Sequence, residues 1–550
     1  MNEVFSFQEL EGRVFMAGSK EYENSVATSN LLYRFSRPYC VFLPRDVEDV
    51  ERFVREAAVS ATKFNIVIKS GGHCYAGFST AYTGVLLDLG RMTRSKADAG
   101  SETVTVGGGA QWGHVYKGLV NSHEAGLMVV GGRCPTVGVS GFVLGGGLSP
   151  FSRSLGLGCD ALFGATIVTA DRGTVTVKRP TAETTEQTEE EDQLFWALCG
   201  AGGGNFGVVV ELKLRVEKLA EPTLLAESTL MAGRFTWATT MDTEFKDTME
   251  KFYTFNWDNK ATIDSTWLCD VKPTDDPASS GIAVRFTIVY NGSQTSYKTH
   301  TDNFGKLGVG PRKLADKLER RACAEPSTLF LHESLVAQWS EETARAIPSS
   351  NSSYSVYSSF VFETNHITEI TGTIRVWVEK FRMRFRGEQA GLHVTWIHAG
   401  GKAKDSDPRG AFPWRNGTYF TYVTVEWQDK WLSQEAEEFL DLFKKALRPY
   451  SMDRVAAYVN FPDRKLTNYT EAYYKGYYND LQKVKKHWDA KDLFQSAQGV
   501  KPPYGGSNVG EEFIDPVGEA GRRWADSDWE PLPRMEGPVG IIRDLADLGF

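Results

Sequence analysis

The sequence has no long hydrophobic run. No stretch approaches the roughly 18 consecutive apolar residues that a membrane-spanning helix needs, and the first 30 residues mix charged and amide side chains with apolar ones. A secretory signal would place basic residues before an apolar block. We therefore predict no contact with a membrane and a cytoplasmic location. A secreted form stays open because Asn-x-Ser/Thr triplets begin at Asn291, Asn351, Asn416 and Asn468.

Cysteine is also scarce, and acidic residues outnumber basic ones. The seven cysteines are odd in number and form no paired CxxC spacing, which favours a reducing compartment over a disulfide framework. Lys and Arg number 61 against 70 Asp and Glu, a formal net charge of −9, and no basic stripe is present. These values argue against a nucleic-acid partner, and we predict no metal site.

The chain does contain glycine clusters between short apolar runs. An amphipathic pattern predicts a helix over 46–64, and the run at 66–68 predicts a strand that ends in the turn Ser70-Gly71-Gly72-His73. Further strands are predicted at 85–89 and 104–106. This alternation is typical of an α+β unit, and 550 residues leave room for two or three folding units.

Residues 131–147, GGRCPTVGVSGFVLGGG, form the most unusual segment. It has seven glycines and a single charge, which makes it too apolar for a solvated loop and too rich in glycine for a stable helix. We predict that its backbone approaches a ligand closely and directs amide N–H groups at an anion. A buried loop packed against neighbouring strands is the alternative.

A third glycine cluster follows a predicted helix. The pattern predicts a solvated loop over 181–191, a helix over 192–198 and a strand over 208–216. The glycines at 202–207 match GxGxxG, but here the helix precedes and the strand follows. This order is the reverse of a Rossmann phosphate turn, so the motif does not predict an NAD-binding domain.

Residues 219–450 differ in hydrophobic pattern from the first part of the chain. Alternating apolar strands are separated by amphipathic helices, for example strands at 282–290, 355–362, 393–398 and 419–427 and helices at 367–385 and 435–447. This pattern predicts a second domain, an antiparallel sheet backed by helices. The last residues, 501–550, are rich in Pro, Gly and acidic groups and predict an extended tail.

With these motifs the chain resembles the berberine bridge enzyme-like branch of the FAD-linked oxidases, which share the vanillyl-alcohol oxidase fold. The motifs are SGGHCYAG (70–77), GGRCPTVGVSGFVLGGG (131–147), DQLFWALCGAGGGNFGVV (192–209), YVNFPD (458–463) and YYKGYYNDLQKVKKHWDAKDLF (473–494). The resemblance implies an α+β fold with a PCMH-type FAD-binding domain of two α/β subdomains and an antiparallel-sheet substrate domain backed by helices. The implied division is an N-terminal extension (1–34), the FAD domain (35–217), the substrate domain (218–455), a segment that returns to the FAD domain (456–500) and the tail (501–550).

The resemblance implies that FAD is held by two covalent bonds, from His73 to the flavin 8α-methyl and from Cys134 to flavin C6. Imidazole and thiolate are nucleophiles able to attack the electrophilic edge of the ring. Two bonds would also raise the reduction potential and ease hydride abstraction. Outside these motifs, a core histidine and an inert buried thiol would be the plainer interpretations, and Cys74 is assigned that structural role.

The other site residues follow from the same resemblance. The implied cofactor contacts are Ser70, Gly71, Gly72, Gly138, Gly141 and Gly145 around the pyrophosphate, Gly207 and Val209 near the adenine, and Tyr458 and Asn460 beside the isoalloxazine. Val137 resembles the family's oxygen-gating position, where valine goes with access of O2 to the flavin. We therefore predict an oxidase that reduces O2 to H2O2, with Tyr458 and Val137 as the candidate catalytic residues.

The chain departs from the family pattern at two positions. Phe461 stands where many carbohydrate- and cannabinoid-oxidising members have a tyrosine as catalytic base, and phenylalanine cannot accept a proton. Trp414 stands where many members have histidine, and the indole would either shape the pocket or fill the outer face of a strand. The candidate bases that remain are Tyr458, Tyr422, Glu426 and His398, in no order.

These departures favour a specialised-metabolite substrate, an alcohol, phenolic, polyketide or alkaloid-like molecule whose hydride passes to flavin N5. One alternative is a carbohydrate oxidase that acts on the C1 hydroxyl of an oligosaccharide. Another is a flavin-holding, ligand-binding protein without redox turnover, which the missing hydroxyl at Phe461 would fit. The partners predicted are this small molecule and O2.

Overall fold

The computed structural model describes most of the chain in helices and strands. The described residues are 10, 12–59, 65–98, 100–121, 127–181, 187–218, 230–239, 241–272, 282–325, 353–405 and 410–503. The α-helices are α1 Lys20–Val26, α2 Val47–Val59, α3 Trp112–Asn121, α4 Val139–Leu144, α5 Ser152–Leu155, α6 Glu189–Leu198, α7 Thr243–Thr254, α8 Gln294–Gly305, α9 Val309–Arg321, α10 Ile367–Arg384, α11 Ser433–Leu447, α12 Tyr469–Tyr474 and α13 Tyr478–Trp488.

The strands of the described residues form three sheets, of four, six and seven strands. The strands are β1 Val14–Phe15, β2 Cys40–Phe42, β3 Ile66–Lys69, β4 Val85–Asp88, β5 Ser95–Asp98, β6 Thr103–Gly107, β7 Leu127–Val129, β8 Leu162–Thr169, β9 Gly173–Lys178, β10 Val208–Lys218, β11 Met231–Thr239, β12 Ala261–Val271, β13 Ile282–Tyr290, β14 Cys323–Ala324, β15 Tyr354–Phe362, β16 Ala390–His398 and β17 Tyr419–Trp427. The α+β class predicted from the sequence is therefore observed.

The four-stranded sheet has the order β1-β2-β4-β3, and β2, β4 and β3 run parallel. Helix α2 presents Val50, Phe53 and Val54 to the core beside it, because apolar residues spaced by three and four lie on one helical face. The predicted helix at 46–64 is thus present from Val47 to Val59, and residues 60–64 lie outside the described chain.

The six-stranded sheet is antiparallel, with β10 pairing with β6, β8 and β7. Helix α6 precedes β10, in the order that the sequence predicts. The helix begins at Glu189 rather than at Asp192, so the predicted loop 181–191 is wrong at its end. Thr188 caps the helix by accepting the N–H of Glu191, whose carboxylate accepts the N–H of Thr188, and this reciprocal pair stabilises the earlier start.

The glycine-rich segment 131–147 contains helix α4, which the glycine content argued against. Tertiary hydrogen bonds compensate for the low helix propensity: the N–H of Val139 donates to Ala110 O at 2.9 Å, and the Ser140 hydroxyl donates to Gly108 O at 2.8 Å. Propensity is a weak determinant where the surrounding structure fixes the backbone in this way.

The seven-stranded sheet is antiparallel, in the order β14-β11-β13-β12-β16-β17-β15. Its two faces differ in chemistry because side chains alternate along a strand. On β12, Ile263, Trp267 and Cys269 face a core shared with α7, α10 and α11, whereas Asp264 and Thr266 face the other way. This second, polar face is the one that positions the candidate site.

The described residues all lie in one compact unit, which ends before Ser507. The domain boundaries inferred from the family resemblance stay predictions. Of the predicted tail, residues 504–550 lie outside the described residues. No helix in the described part of the chain is both long and apolar enough to cross a bilayer.

Candidate active site

A cavity of about 450 Å³ lies between the glycine-rich turns and the polar face of the seven-stranded sheet. Motifs that are far apart in the sequence meet around it. The site residues implied by the resemblance that line this cavity are Ser70, Gly71, Gly72, His73, Cys134, Val137, Gly138, Gly141, Gly207, Val209, Tyr458 and Asn460.

The turn after β3 packs directly on the 131–147 segment. A Cβ at Gly71 would lie 2.3 Å from Gly138 N, and a Cβ at Gly138 would lie 2.4 Å from Gly71 N. Ser70 and Ser140 both donate their hydroxyls to Gly108 O at 2.8 Å. The two glycines therefore serve the approach of one backbone to another, and neither position has room for a side chain.

The hydroxyl of Thr136 joins the two candidate attachment residues. Its Oγ1 lies 2.8 Å from His73 Nε2 and 3.2 Å from Cys134 Sγ, so these nucleophiles are no farther apart than the sum of those distances. Burial lowers the pKa of His73 to about 4, because a charged imidazolium is poorly solvated there. His73 is therefore neutral at pH 7 and keeps a nitrogen lone pair.

A second set of glycines leaves open space toward the cavity. A Cβ at Gly141 would meet no atom within 4 Å, the nearest atom to one at Gly203 is 3.6 Å away, and the nearest to one at Gly204 is 3.9 Å away. All three line the cavity, and side chains there would fill it. This bare backbone fits the close approach of an extended anionic group such as the FAD pyrophosphate.

Residues 458–460 close one side of the cavity. The Tyr458 hydroxyl accepts the N–H of Gly147 at 3.0 Å and an Asn460 Nδ2–H at 3.1 Å, and Asn460 Nδ2 also donates to Phe142 O at 3.0 Å. Gly145 does not line the cavity; a Cβ there would lie 2.0 Å from Asn460 Oδ1. The lack of a side chain at Gly145 makes room for Asn460, and a contact of Gly145 with the cofactor stays a prediction.

A buried lysine ties the end of the described chain to the glycine loop at 200–207. Lys485 Nζ donates to Asn205 O, Asp489 Oδ2 and Phe494 O, each at 2.7 Å, and both Lys485 and Asp489 are fully buried. Asn205 Oδ1 in turn accepts the N–H of Val500 at 3.0 Å. The segment around α13 thus holds the loop that carries Gly203 and Gly204.

The sheet side of the cavity is polar. The residues that line it project from β12, β13, β15, β16 and β17: Asp264, Thr266, Arg285, Thr287, Ser355, Tyr357, His393, Thr395, Tyr422, Thr424 and Glu426. Asp264 also binds Arg133 of the glycine-rich segment, whose Nε donates at 2.6 Å. We call this surface the polar floor.

Four rings form an aromatic cluster at one end of the polar floor: Tyr75, Tyr357, Tyr422 and Phe461. Tyr75 stacks on Tyr357 with ring centroids 4.2 Å apart, and Tyr422 contacts Phe461 at 4.5 Å. Tyr75 and Phe461 are stacked at 5.8 Å. This cluster provides flat apolar surfaces on which a ring-bearing molecule could stack.

The structure separates the candidate bases into two groups. Tyr422 and Glu426 line the cavity. His398 points to the opposite face of the sheet, where it stacks on Tyr419 at 5.1 Å, and burial lowers its pKa well below the usual range. Tyr458 lines the cavity, but burial raises its pKa and its oxygen accepts two hydrogen bonds. Neither His398 nor Tyr458 is therefore suited to take a proton from a substrate.

The structure also shows where Val137 and Trp414 lie, the two remaining positions discussed from the family pattern. Val137 lines the cavity three residues after Cys134, and its N–H donates to Cys134 O at 3.3 Å. Trp414 is fully buried and donates its indole N–H to Ala472 O at 2.8 Å. The indole thus fills the interior and is tied to α12. Trp414 neither lines the cavity nor lies on a strand, so neither of the two predicted alternatives is observed.

Comparisons with known proteins agree with this architecture. Residues 38–178 match the FAD binding domain family, and residues 457–501 match the family described as berberine and berberine like. The chain is 25% identical to the aclacinomycin-N/aclacinomycin-A oxidase of Streptomyces galilaeus over 85% of its own length and 86% of that protein. It is 24% identical to the reticuline oxidase of Papaver somniferum over 85% of its own length and 84% of that protein.

The chain contains an FAD binding domain and a berberine-like domain, and its predicted resemblance to the berberine bridge enzyme-like FAD-linked oxidoreductases is confirmed. Its fold matches that of berberine bridge enzyme from Eschscholzia californica with a TM-score of 0.72 at 21% identity, over 90% of this chain and 98% of that one. The expected fold class, with a PCMH-type FAD-binding domain, is thus confirmed, and so is the enzyme class, an FAD-linked oxidoreductase.

The sequence did not indicate two residues that the structure connects to the candidate site. Thr136 lies inside a quoted motif, but nothing in its spacing indicates that its hydroxyl lies between His73 and Cys134. The spacing of Lys485 four residues before Asp489 weakly indicates an ion pair on a helix. The signal is weak because Lys483 and Lys486 lie close by on the same helix. Only the fold shows that Lys485 alone among its helix's lysines is buried.

Proposed function

We propose that this protein is an FAD-dependent oxidase that holds its flavin through two covalent bonds, from His73 and from Cys134. The observation that carries the proposal is that both nucleophiles line the cavity and lie within hydrogen-bonding distance of the same hydroxyl, that of Thr136. The bare backbone at Gly141, Gly203 and Gly204 supports it, because the pyrophosphate would then lie along the same cavity.

FAD, when bound, accepts a hydride from the substrate at N5 and passes two electrons to O2, which leaves as H2O2. His73 would bond to the 8α-methyl carbon and Cys134 to ring carbon C6. Each bond would replace a flavin C–H bond and an N–H or S–H bond of the residue, and the two electrons and two protons released per bond would reduce one O2 to H2O2. Val137 supports the choice of O2 as oxidant, since a small side chain beside Cys134 leaves room for it.

The substrate that the cavity favours is a ring-bearing specialised metabolite. The aromatic cluster offers stacking surfaces, and the polar floor offers hydroxyl, carboxylate and guanidinium groups that would orient polar substituents. The two relatives described above are named as oxidases of aclacinomycins and of reticuline. A substrate alcohol or phenol would lie with its reacting carbon toward the wall that carries His73 and Cys134.

Tyr422 is our proposed base. It lines the cavity, and its ring contacts Phe461, the residue at the family's base position. Glu426 lies four residues farther along β17, roughly 13 Å away at the usual rise of a strand. Tyr422 would accept the substrate's proton on its phenolic oxygen as the hydride leaves.

The polar floor also favours a second candidate, a carbohydrate oxidase. Thr266, Thr395 and Thr424 line it together with Glu426, and such groups bind sugar hydroxyls well. Release of H2O2 with oligosaccharides but not with aromatic alcohols would favour this candidate.

The decisive experiment is acid denaturation of the purified yellow protein. We expect the colour to stay with the precipitated polypeptide, with flavin found by mass spectrometry on peptides containing His73 and Cys134. His73→Ala and Cys134→Ala should each leave a flavin with one bond and a changed spectrum, and the double variant should release it. Free flavin in the supernatant of the unaltered protein would contradict the proposal.

The use of O2 has its own test. Val137→Leu should slow reoxidation by O2 while leaving reduction by substrate unchanged, as followed by stopped-flow absorbance. An unchanged reoxidation rate would remove Val137 as the reason for oxidase activity.

A further inference from the structure

The Thr136 side chain lies between the two proposed attachment residues and reaches both of them. Its Oγ1 is 2.8 Å from His73 Nε2 and 3.2 Å from Cys134 Sγ, both within hydrogen-bonding range for these atom types. His73 and Cys134 come from different segments, so the threonine also connects the turn after β3 with residues 131–147.

The position of this hydroxyl is fixed by backbone hydrogen bonds on both sides of it. The N–H of Gly113 donates to Pro135 O at 2.7 Å, the N–H of Trp112 donates to Val137 O at 3.1 Å, and the N–H of Val137 donates to Cys134 O at 3.3 Å. The start of α3 therefore fixes the backbone of residues 134–137. The Thr136 side chain extends from this fixed backbone toward both nucleophiles.

The direction of the hydrogen bonds decides which atoms can react. A hydroxyl donates one hydrogen and accepts others, and neutral His73 carries hydrogen on only one ring nitrogen, since burial lowers its pKa to about 4. If Nε2–H donates to Thr136, the hydroxyl hydrogen can point at Cys134 Sγ. Nδ1 then keeps its lone pair, and the sulfur accepts a hydrogen bond instead of donating one.

The opposite direction would disable both groups. A Cys134 thiol would then donate to Thr136, the threonine would donate to Nε2, and the ring hydrogen would sit on Nδ1. In that arrangement neither Nδ1 nor Sγ is a nucleophile.

We propose that Thr136 is a positioning residue for flavin attachment, which orients His73 with Nδ1 toward the ring and donates its hydroxyl hydrogen to Cys134 Sγ. This inference rests on the proposed double covalent attachment. Thr136 forms no bond to the cofactor and transfers no electrons. It sets which nitrogen of His73 faces the flavin, and whether Cys134 Sγ accepts or donates the hydrogen bond that it shares with Thr136.

The test compares Thr136→Val, which removes the hydroxyl at nearly constant volume, with Thr136→Ser, which keeps it. The readout is the amount of flavin on each peptide, measured by mass spectrometry after acid precipitation, as a function of time with added FAD in air. We expect attachment in the valine variant to be slowed roughly tenfold for each orienting hydrogen bond lost. The serine variant should attach flavin at close to the normal rate.

Thr176→Val is the matched control, because Thr176 is an exposed strand threonine whose hydroxyl pairs with that of Thr166 at 3.1 Å. It should attach flavin at the normal rate. If the valine variant does not fold, Thr136→Ala is the second variant and should show the same loss.

The outcomes separate this inference from the proposed function. An unaltered protein without attached flavin would overturn both, and that result needs no variant. Full attachment at His73 and Cys134 in both the valine and the alanine variants would overturn the role of Thr136 and leave the double bond to FAD intact. Equal slowing in the serine variant would also overturn it, because the hydroxyl is retained there.

Discussion

Tyr422 faces the cavity from β17 beside a phenylalanine that cannot act as a base. If Tyr422 has taken over proton transfer, Tyr422→Phe should lower kcat by about 10²- to 10⁴-fold, the usual contribution of a general base. The rate of flavin reduction, measured by stopped flow, should fall with it. The loss should shrink for substrates that react without giving up a hydroxyl proton.

Tyr357→Phe is the control for this residue. Tyr357 belongs to the same aromatic cluster and stacks on Tyr75 with ring centroids 4.2 Å apart, so its variant tests the loss of a hydroxyl without loss of the ring. We expect mainly a change in KM. Flavin reduction at the normal rate in Tyr422→Phe would show that the base is another residue, with Glu426→Gln as the next variant.

At the scale of the element, the glycines of residues 131–147 and of the turn after β3 have two distinct roles. Gly141→Ala places a methyl group in open space in the cavity, whereas Gly71→Ala places one 2.3 Å from Gly138 N. We expect Gly141→Ala to fold with unchanged thermal stability and to retain less FAD. Gly71→Ala should lower the melting temperature or prevent folding, because backbone must move to admit the methyl group.

The measurements are thermal unfolding and the ratio of flavin to protein absorbance. Normal flavin content in Gly141→Ala would argue against the bare backbone there as the pyrophosphate site. Normal stability in Gly71→Ala would show that the two segments lie farther apart than described.

A helix near the end of the described chain contributes in a different way. Lys485→Met leaves Asp489 buried without its cation, and breaking a buried pair on one side costs about 3–5 kcal/mol. The free energy of unfolding should fall by that amount, and flavin retention should fall too, because Asn205 loses a hydrogen bond from Lys485.

Lys483→Met is the matched control on the same helix. Lys483 is mostly exposed and pairs with Asp480 at 2.7 Å, and such surface pairs contribute about 0–1 kcal/mol. Equal effects of the two substitutions on stability and flavin content would contradict the clamping role of Lys485.

At the scale of the whole molecule, buried neutral histidines predict sensitivity to acid. Burial, with Arg153 and Lys404 nearby, lowers the pKa of His398 well below 6.5. The folded state therefore resists a proton that the unfolded chain accepts. The contribution of this one group to stability is fully present above about pH 6.5. It is lost as the pH falls below that value, by roughly 1.4 kcal/mol per pH unit.

Melting temperatures measured between pH 7.5 and 5 check this sign. The unaltered protein should lose stability toward pH 5, and His398→Phe, which removes the titrating group, should lose less. The same slope in both proteins would mean that other groups dominate the acid response.

The sequence predicted the strands at 282–290 and 419–427 with the bounds that the structure shows, because alternating apolar residues in a two-faced sheet leave a clear period of two. The family resemblance implied thirteen residues near one ligand, and twelve of them line the cavity. The sequence did not reveal helix α4, whose stability comes from Ala110 and Gly108 rather than from its own residues. Nor did it separate His398 from Tyr422, because the face that a side chain takes depends on strand register.

The cavity wall joins residues 70–73 to residues 458–460 and, through Asn205, to residues 485–500. During synthesis the histidine turn leaves the ribosome almost 400 residues before the groups that complete its wall. The proposed attachment of the flavin would then be a late event, since a nascent chain has the nucleophiles but not the enclosure. The order of translation would protect the cofactor supply, because an incomplete chain cannot consume it.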